Sequence, residues 1–300
     1  MKFGFSSYSF HQKLSAAPKS GQSMSLFDVI DWVAASEGEH LELAVLTNLA
    51  DSPIPTIASD PGYVSDVLAK AAAAGVTLSN LAVGANFNRS NRAELAEEVT
   101  RVKSNVDLAA RLGITRMRHD VVSPGRIDGD DTPAFEAVFP TIVKASKEIA
   151  QYAATLGVTT SLENHGFFVQ SSDRVRRIVH AVDEPNFKTT LDVGNFLCVD
   201  EDPTSAVPSN LPYAMIVHFK DFYVRPARRN PGEGWFRSRG GKYLRGAIVG
   251  NGDIDLPTVV AGIKAAGYDG YASIEFEGHE DCLLGCTRGI ANAKAMWAAA

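Results

Sequence analysis

The chain reads as an α/β protein of the (β/α)8 TIM barrel class, a single domain over residues 1–300. Three observations predict this. Strand and helix signals alternate from end to end, no linker interrupts them, and polar residues recur at strand ends about one βα unit apart. An open doubly wound sheet is the competing architecture. It requires a glycine-rich phosphate turn after the first strand, and SSYSF at that place holds no glycine. With 300 residues, 45% of them hydrophobic, the chain can bury a barrel core, and such barrels commonly reach this size in one domain.

The elements follow in order. Strands are expected at Lys2–Phe10, Leu41–Leu46, Leu78–Ala85, Thr115–Val121, Thr159–Glu163, Thr189–Asp192, Met215–Phe219 and Tyr271–Phe276, where β-branched and aromatic residues cluster. Helical periodicity falls between them. It spans Ser25–Ser36, opened by a serine cap, then Pro61–Ala74, Arg92–Leu112 and Thr132–Leu156. Ser172–Val182, Thr204–Leu211, Leu256–Ala266 and Leu284–Ala298 complete the set. Gly75, Gly113, Gly157 and Gly267 each stand just after a helix, where a left-handed cap suits glycine.

Composition narrows the function classes. The net charge is −6, with 21% charged residues, so no global basic field is present to hold DNA or RNA. MKFGFSSYSF has no apolar run long enough for a signal peptide, and no stretch approaches the roughly 18 apolar residues of a membrane span. Cys198, Cys282 and Cys286 are an odd number in a large chain, which favours reduced thiols. A cytoplasmic globular protein is expected.

Four polar residues close four successive strand signals: Glu163 in TTSLENHG, Asp192 in KTTLDVGNF, His218 in AMIVHFKDF and Glu275 in YASIEFEG. In a parallel barrel these ends point into one bowl. Alternation is consistent: with each of the four inward, Leu162, Leu191, Val217 and Ile274 turn toward the helices. The plainer reading makes each a separately hydrogen-bonded polar residue of a barrel layer. Four in succession favour convergence. Three oxygen donors and one imidazole, with no thiolate, suit Mn2+, Mg2+ or Co2+ better than structural zinc.

From Glu163 to Asp192 is 29 positions, from Asp192 to His218 is 26, and from His218 to Glu275 is 57. The excess lies in 223–250, read as an insertion after strand 7 with weak periodicity. From Lys220 to Arg245 it carries eight basic residues (Lys220, Arg225, Arg228, Arg229, Arg237, Arg239, Lys242, Arg245) against Asp221 and Glu233, near +6 locally. A solvated loop is the bland account. A lid that binds a phosphate or carboxylate, or a contact surface of a homo-oligomer, is the functional one.

Together SSYSF, ENHG, LDVGNF, VHFKD, GNGDID and IEFEG resemble the xylose isomerase-like barrels of the sugar phosphate isomerase/epimerase family. The resemblance covers essentially the whole chain. Ketose 3-epimerases, inosose and dehydroshikimate dehydratases and endonuclease IV belong to the same group. It implies that Glu163, Asp192, His218 and Glu275 bind one divalent ion, Mn2+ first, with Mg2+ or Co2+ as alternatives. It also implies that Glu163 and Glu275 exchange the substrate proton.

The expected reaction is isomerisation or epimerisation of a keto sugar or related polyol. A C–H beside a metal-bound carbonyl is deprotonated and an enediolate forms. The alternative is a lyase, in which the same deprotonation is followed by β-elimination, as in inosose dehydration or cleavage of 3-keto-glycosides. The repair-endonuclease reading fails because it needs three zinc ions and more than the seven histidines present.

Further candidates lie two residues beyond the ligands: His165 as a base, Lys220 as a substrate contact or as a partner for Asp221, and Glu277. Arg118 and His119 end strand 4 in ambiguous phase, and the resemblance leans toward Arg118 as the substrate contact. Glu42 reads as a buried partner for an arginine. Tyr8, Phe10, Asn86, Phe167, Asn195 and Trp235 are candidates for lining the pocket, with core packing the default for the aromatics.

Overall fold

Short runs of β-branched and aromatic residues become strands here because each can bury one face against helices. The computed structural model describes residues 1–14, 23–45, 60–125 and 131–300. Within them the strands are β1 (Lys2–Ser6), β2 (His40–Val45), β3 (Thr77–Val83), β4 (Arg116–His119), β5 (Thr159–Glu163), β6 (Phe187–Asp192), β7 (Ala214–Phe219), β8 (Asp221–Arg225), β9 (Phe236–Arg237), β10 (Tyr243–Ala247) and β11 (Tyr271–Ile274). The helices are α1 (Leu26–Ala34), α2 (Pro61–Ala74), α3 (Arg92–Arg111), α4 (Thr132–Thr155), α5 (Ser172–Val182), α6 (Pro203–Asn210), α7 (Leu256–Ala265) and α8 (Cys282–Ala299). Leu46, the expected end of the second strand, lies outside the described residues.

Eight parallel strands close in the order β1, β11, β7, β6, β5, β4, β3, β2, so the chain forms a (β/α)8 TIM barrel. Register sets the site: Asp192 lies opposite His218, and Ser273 opposite His218 on the other side. Alternation works as expected. Leu162, Leu191, Val217 and Ile274 are buried against the helices, while Ser161 and Thr190 meet at 2.9 Å inside the barrel.

Local chemistry sets the helix ends. Ser25 and Asp28 form a reciprocal capping box, and Asp60, Asn91 and Asp281 accept from first-turn amides. Gly75, Gly113, Gly157 and Gly267 follow their helices at φ +69°, +66°, +69° and +75°, with open space where a side chain would stand. Their requirement is conformational rather than steric.

The insertion after β7 is more regular than expected. β8, β10 and β9 pair antiparallel as a separate three-stranded sheet. Phe222, Val224 and Leu244 share one face and pack on Cys198, Leu197 and Phe167. The other face carries Tyr223, Arg225 and Arg245, with Arg225 and Arg245 stacked on the Trp235 ring at 5.4 and 5.1 Å. Arginine stems packing on aromatic rings hid the alternation, because they behave as apolar surface. Asp200 ties the sheet to the turn after β6, accepting from Ser238 Oγ at 2.9 Å. Arg239 pairs with buried Asp131, which Arg174 also holds at 2.7 Å. No helix among the described residues is long and apolar enough to cross a membrane.

Candidate metal centre and active site

Two of the four strand-end residues, Asp192 and His218, are each fixed through one side-chain atom and keep a second without a hydrogen bond. One ligand atom from each of Glu163, Asp192, His218 and Glu275 falls in a group spanning no more than 4.8 Å, and all four residues are buried. Asp192 Oδ1 accepts from the backbone amides of Gly194 and Asn195, both at 2.8 Å, while Oδ2 makes no hydrogen bond and faces only the Lys220 ammonium at 3.3 Å. His218 Nε2 bonds Glu42 Oε2 at 2.8 Å, while Nδ1 has none and lies 3.6 Å from Glu275 and 3.9 Å from Glu163. A buried imidazole fixed by a carboxylate on one nitrogen and unpartnered on the other has the form of a metal ligand with its outer support. The donor set therefore fits a divalent cation.

The turn LDVGNF makes this possible. A side chain at Gly194 would stand 2.8 Å from the Lys220 carbonyl oxygen, so only glycine lets that turn approach β7. Asn164 brackets Asp192, donating to its carbonyl at 2.8 Å and accepting from its amide at 2.9 Å.

Charge is crowded here. Burial pushes the Asp192 carboxyl up to about 7, with Lys220 opposing the rise. Burial would also raise Glu275, but the Lys220 ammonium and His218 hold it well below the usual carboxylate range. His218 is raised well above its ordinary value; burial opposes this and Glu42 and Glu275 prevail. Lys220 likewise stays charged against burial, because Asp192, Glu275 and Glu277 surround it at 3.3, 2.9 and 3.3 Å. Several desolvated carboxylates facing each other are costly, and a cation among them lowers that cost.

The remaining candidates divide. Arg118, rather than His119, faces the bowl: its Nε is 2.8 Å from Glu163 Oε2 and its Nη2 is 2.8 Å from Asp120. His119 turns into the core beside Phe87 and Phe187, and burial lowers its pKa to about 4. His165 lines the cavity, with Nδ1 3.1 Å from Asp120 Oδ1. Burial would lower its pKa, but Asp120 raises it. Asn195 lies beneath the cavity lining, donating to Glu163 Oε1 at 3.1 Å and facing Lys220 at 3.3 Å. Tyr8 and Asn86 line the cavity, whereas Phe10 is core and Phe167 packs under the inserted sheet. Trp235 lies between two arginines of that sheet and is not part of the lining.

Two expectations are corrected. Glu42 has no arginine partner among the described residues; it accepts from His218, Asn80 at 3.0 Å and Ser273 at 3.0 Å. Asp221 does not pair with Lys220, because it turns to the amides of Phe222, Gly250 and Gly252 and organises the inserted sheet. Sequence reasoning missed Asp120. Its signal was a carboxylate directly after RMRH at a strand end, the same placement as the four ligands.

The cavity above the quartet measures about 760 Å3 and reaches from Lys220, His218 and Glu275 across to Arg89 and Arg101. The model of the xylose isomerase-like TIM barrel family matches residues 30–299. This chain belongs to that family. Within it, an inosose dehydratase from Geobacillus thermodenitrificans (strain NG80-2) is 23% identical over 150 residues, covering 49% of this chain and 50% of that one. The chain thus matches about half the length of this curated relative.

Among solved xylose isomerase-like structures, the IOLI protein with a bound zinc atom superposes at TM-score 0.74, with 17% identity over 99% of this chain and 96% of the other. An L-ribulose 3-epimerase does so at 0.71, with 15% identity over 100% and 95%. At such identities the likeness establishes the shared barrel and no more.

Proposed function

We propose that this chain is a metal-dependent isomerase or epimerase that removes a proton beside the carbonyl of a keto sugar or related polyol. The observation that carries this reading is the convergence of Glu163, Asp192, His218 and Glu275 at a cavity large enough for such a substrate. A divalent cation held by these four, Mn2+ first with Mg2+ or Co2+ as alternatives, supplies positive charge that acidifies the C–H next to a carbonyl.

The protein's own groups divide the remaining work. Glu163 on β5 and the Glu275 position after β11 flank β6 and β7, so a substrate above the site meets one carboxylate on each side. Inverting a carbon requires that: one group takes the proton and the other returns it to the opposite face. Arg118 and Asn195 grip the two oxygens of Glu163 and fix its aim. Lys220 places an ammonium at the edge of the site, able to bind a substrate hydroxyl or oxyanion. Incubation in D2O with a panel of keto sugars tests the reading: deuterium should enter the substrate pool at the carbon beside the carbonyl. No exchange with any member would end it.

One observation favours a lyase as the second reading. The Asp120–His165 pair supplies an additional proton carrier in the cavity, and His165 Nε2 has no partner among the described residues. It is placed to protonate a departing β-oxygen after the first deprotonation. An unsaturated product, rather than a stereoisomer, would select this outcome. The inosose dehydratase relative is in keeping with this second reading.

A further inference from the structure

We propose that Arg89 and Arg101 form an anion-binding subsite across the cavity from the quartet, so that the substrate carries a carboxylate or phosphate remote from its reacting carbon. This rests on the reading of the cavity as the substrate site and deepens it.

Four arginine or lysine side chains line the cavity. The charge of Arg118 is already offset by Glu163 and Asp120, and that of Lys220 by Asp192, Glu275 and Glu277, so neither adds net positive charge for a remote anion. The remaining two share one carboxylate. Glu98, 5% exposed, accepts Arg89 Nη2 and Arg101 Nε on Oε2, and Arg101 Nη2 with the Asn86 amide on Oε1, at 2.8–2.9 Å. Its capacity is used, and among the described residues the pair keeps one uncompensated positive charge.

The guanidiniums are also preorganised. Arg101 Nη2 is anchored a second time on the Gly84 carbonyl at 2.6 Å, while the Arg89 and Arg101 side chains remain 35% and 41% exposed. Nε and Nη1 of Arg89 and Nη1 of Arg101 have no protein acceptor among the described residues. Arg101, fixed on Glu98 and Gly84, and Arg89, tethered on Glu98, present planar forks with unused donors that match carboxylate or phosphate oxygens.

The basic insertion, for which an anion-binding lid is one of the readings the sequence leaves open, does not reach the cavity. Arg225 is held by Asp253, Arg237 by Tyr243, Arg239 by Asp131 and Lys242 by Asp200, and none of them lines it. Anion recognition is thus placed after β3, opposite the strands that carry the quartet.

The test uses inert polyols on the metal-loaded full chain, with calorimetric titration of sorbitol, sorbitol 6-phosphate and gluconate. At least one anion should bind tenfold or more tightly than sorbitol, and the preferred one identifies phosphate or carboxylate. Arg89→Gln, alone and with Arg101→Gln, should abolish that preference, while Arg225→Gln preserves it. Thermal melting checks the fold, and the single Arg89→Gln variant spares the more deeply anchored Arg101. Neither anion exceeding sorbitol, a preference that survives Arg89→Gln, or one lost instead in Asp192→Asn would overturn the subsite. Absence of D2O exchange would sink the proposed reaction while leaving this binding result standing.

Discussion

At the level of single residues, this barrel shows how polar side chains become tolerable in an interior. Glu42 and Ser273 are bonded to each other beneath the quartet, Glu42 also holds His218 Nε2, and Glu42 is completely buried. Its role is to orient the imidazole, so Glu42→Gln should weaken divalent-metal affinity about 10- to 100-fold with all four ligands intact. Metal titration with a competing chelator measures this; unchanged affinity would show Glu42 to be structural alone. His165 separates differently. Under the elimination reading His165→Gln should lower turnover by about 10²- to 10⁴-fold while metal content stays at the wild-type level, whereas proton exchange carried by Glu163 and Glu275 alone would leave turnover within a few-fold. A parallel loss of metal would mean that His165 supports the ligand set rather than moving protons.

Among the elements, the turn after β6 decides the geometry. Gly194→Ala would drive a side chain to 2.8 Å from the Lys220 carbonyl, separating β6 from β7 at the point where Asp192 faces His218. The expected cost is about 1–3 kcal/mol of stability, accompanied by weakened metal binding. Leu191→Ala, one residue before the ligand but facing the helices, makes the contrast. It should cost about 2–5 kcal/mol and leave metal affinity within a few-fold of wild type. Urea unfolding read beside metal titration distinguishes the two, and equal metal loss in both would refute the division of strand faces.

For the molecule as a whole, acid sensitivity follows from two buried histidines outside the quartet. Burial lowers His40 and His119 to about 4 each, from the usual 6.5. Between those values the unfolded chain binds the proton and the folded chain does not. Stability is therefore fully present above pH 6.5 and falls as pH drops toward 4, by about 1.4 kcal/mol per pH unit for each histidine. Asp192, raised to about 7, contributes a slope of opposite sign in this window, so urea unfolding at pH 6.5 and 5 is read as the difference between the unaltered chain and His119→Leu: the variant should lose about half of the two histidines' part, and an identical pH dependence in both would contradict it.

The amino-acid order by itself determined the barrel and the four candidate ligands, because period-2 alternation and βα spacing are local properties that survive without coordinates. Leu162, Leu191, Val217 and Ile274 marked the outward faces, and their neighbours necessarily faced inward. Tertiary structure alone decided what each polar group meets. Asp120 reaches His165 across 45 positions, Glu42 reaches His218 across 176, and Arg101 shares Glu98 with Arg89 beside a cavity whose far wall lies much later in the chain. The reason is that hydrogen bonds and ion pairs depend on closure of the barrel, which brings distant strand ends within a few ångströms. A periodic pattern can tell which way a side chain points, but its partner is set by the three-dimensional arrangement.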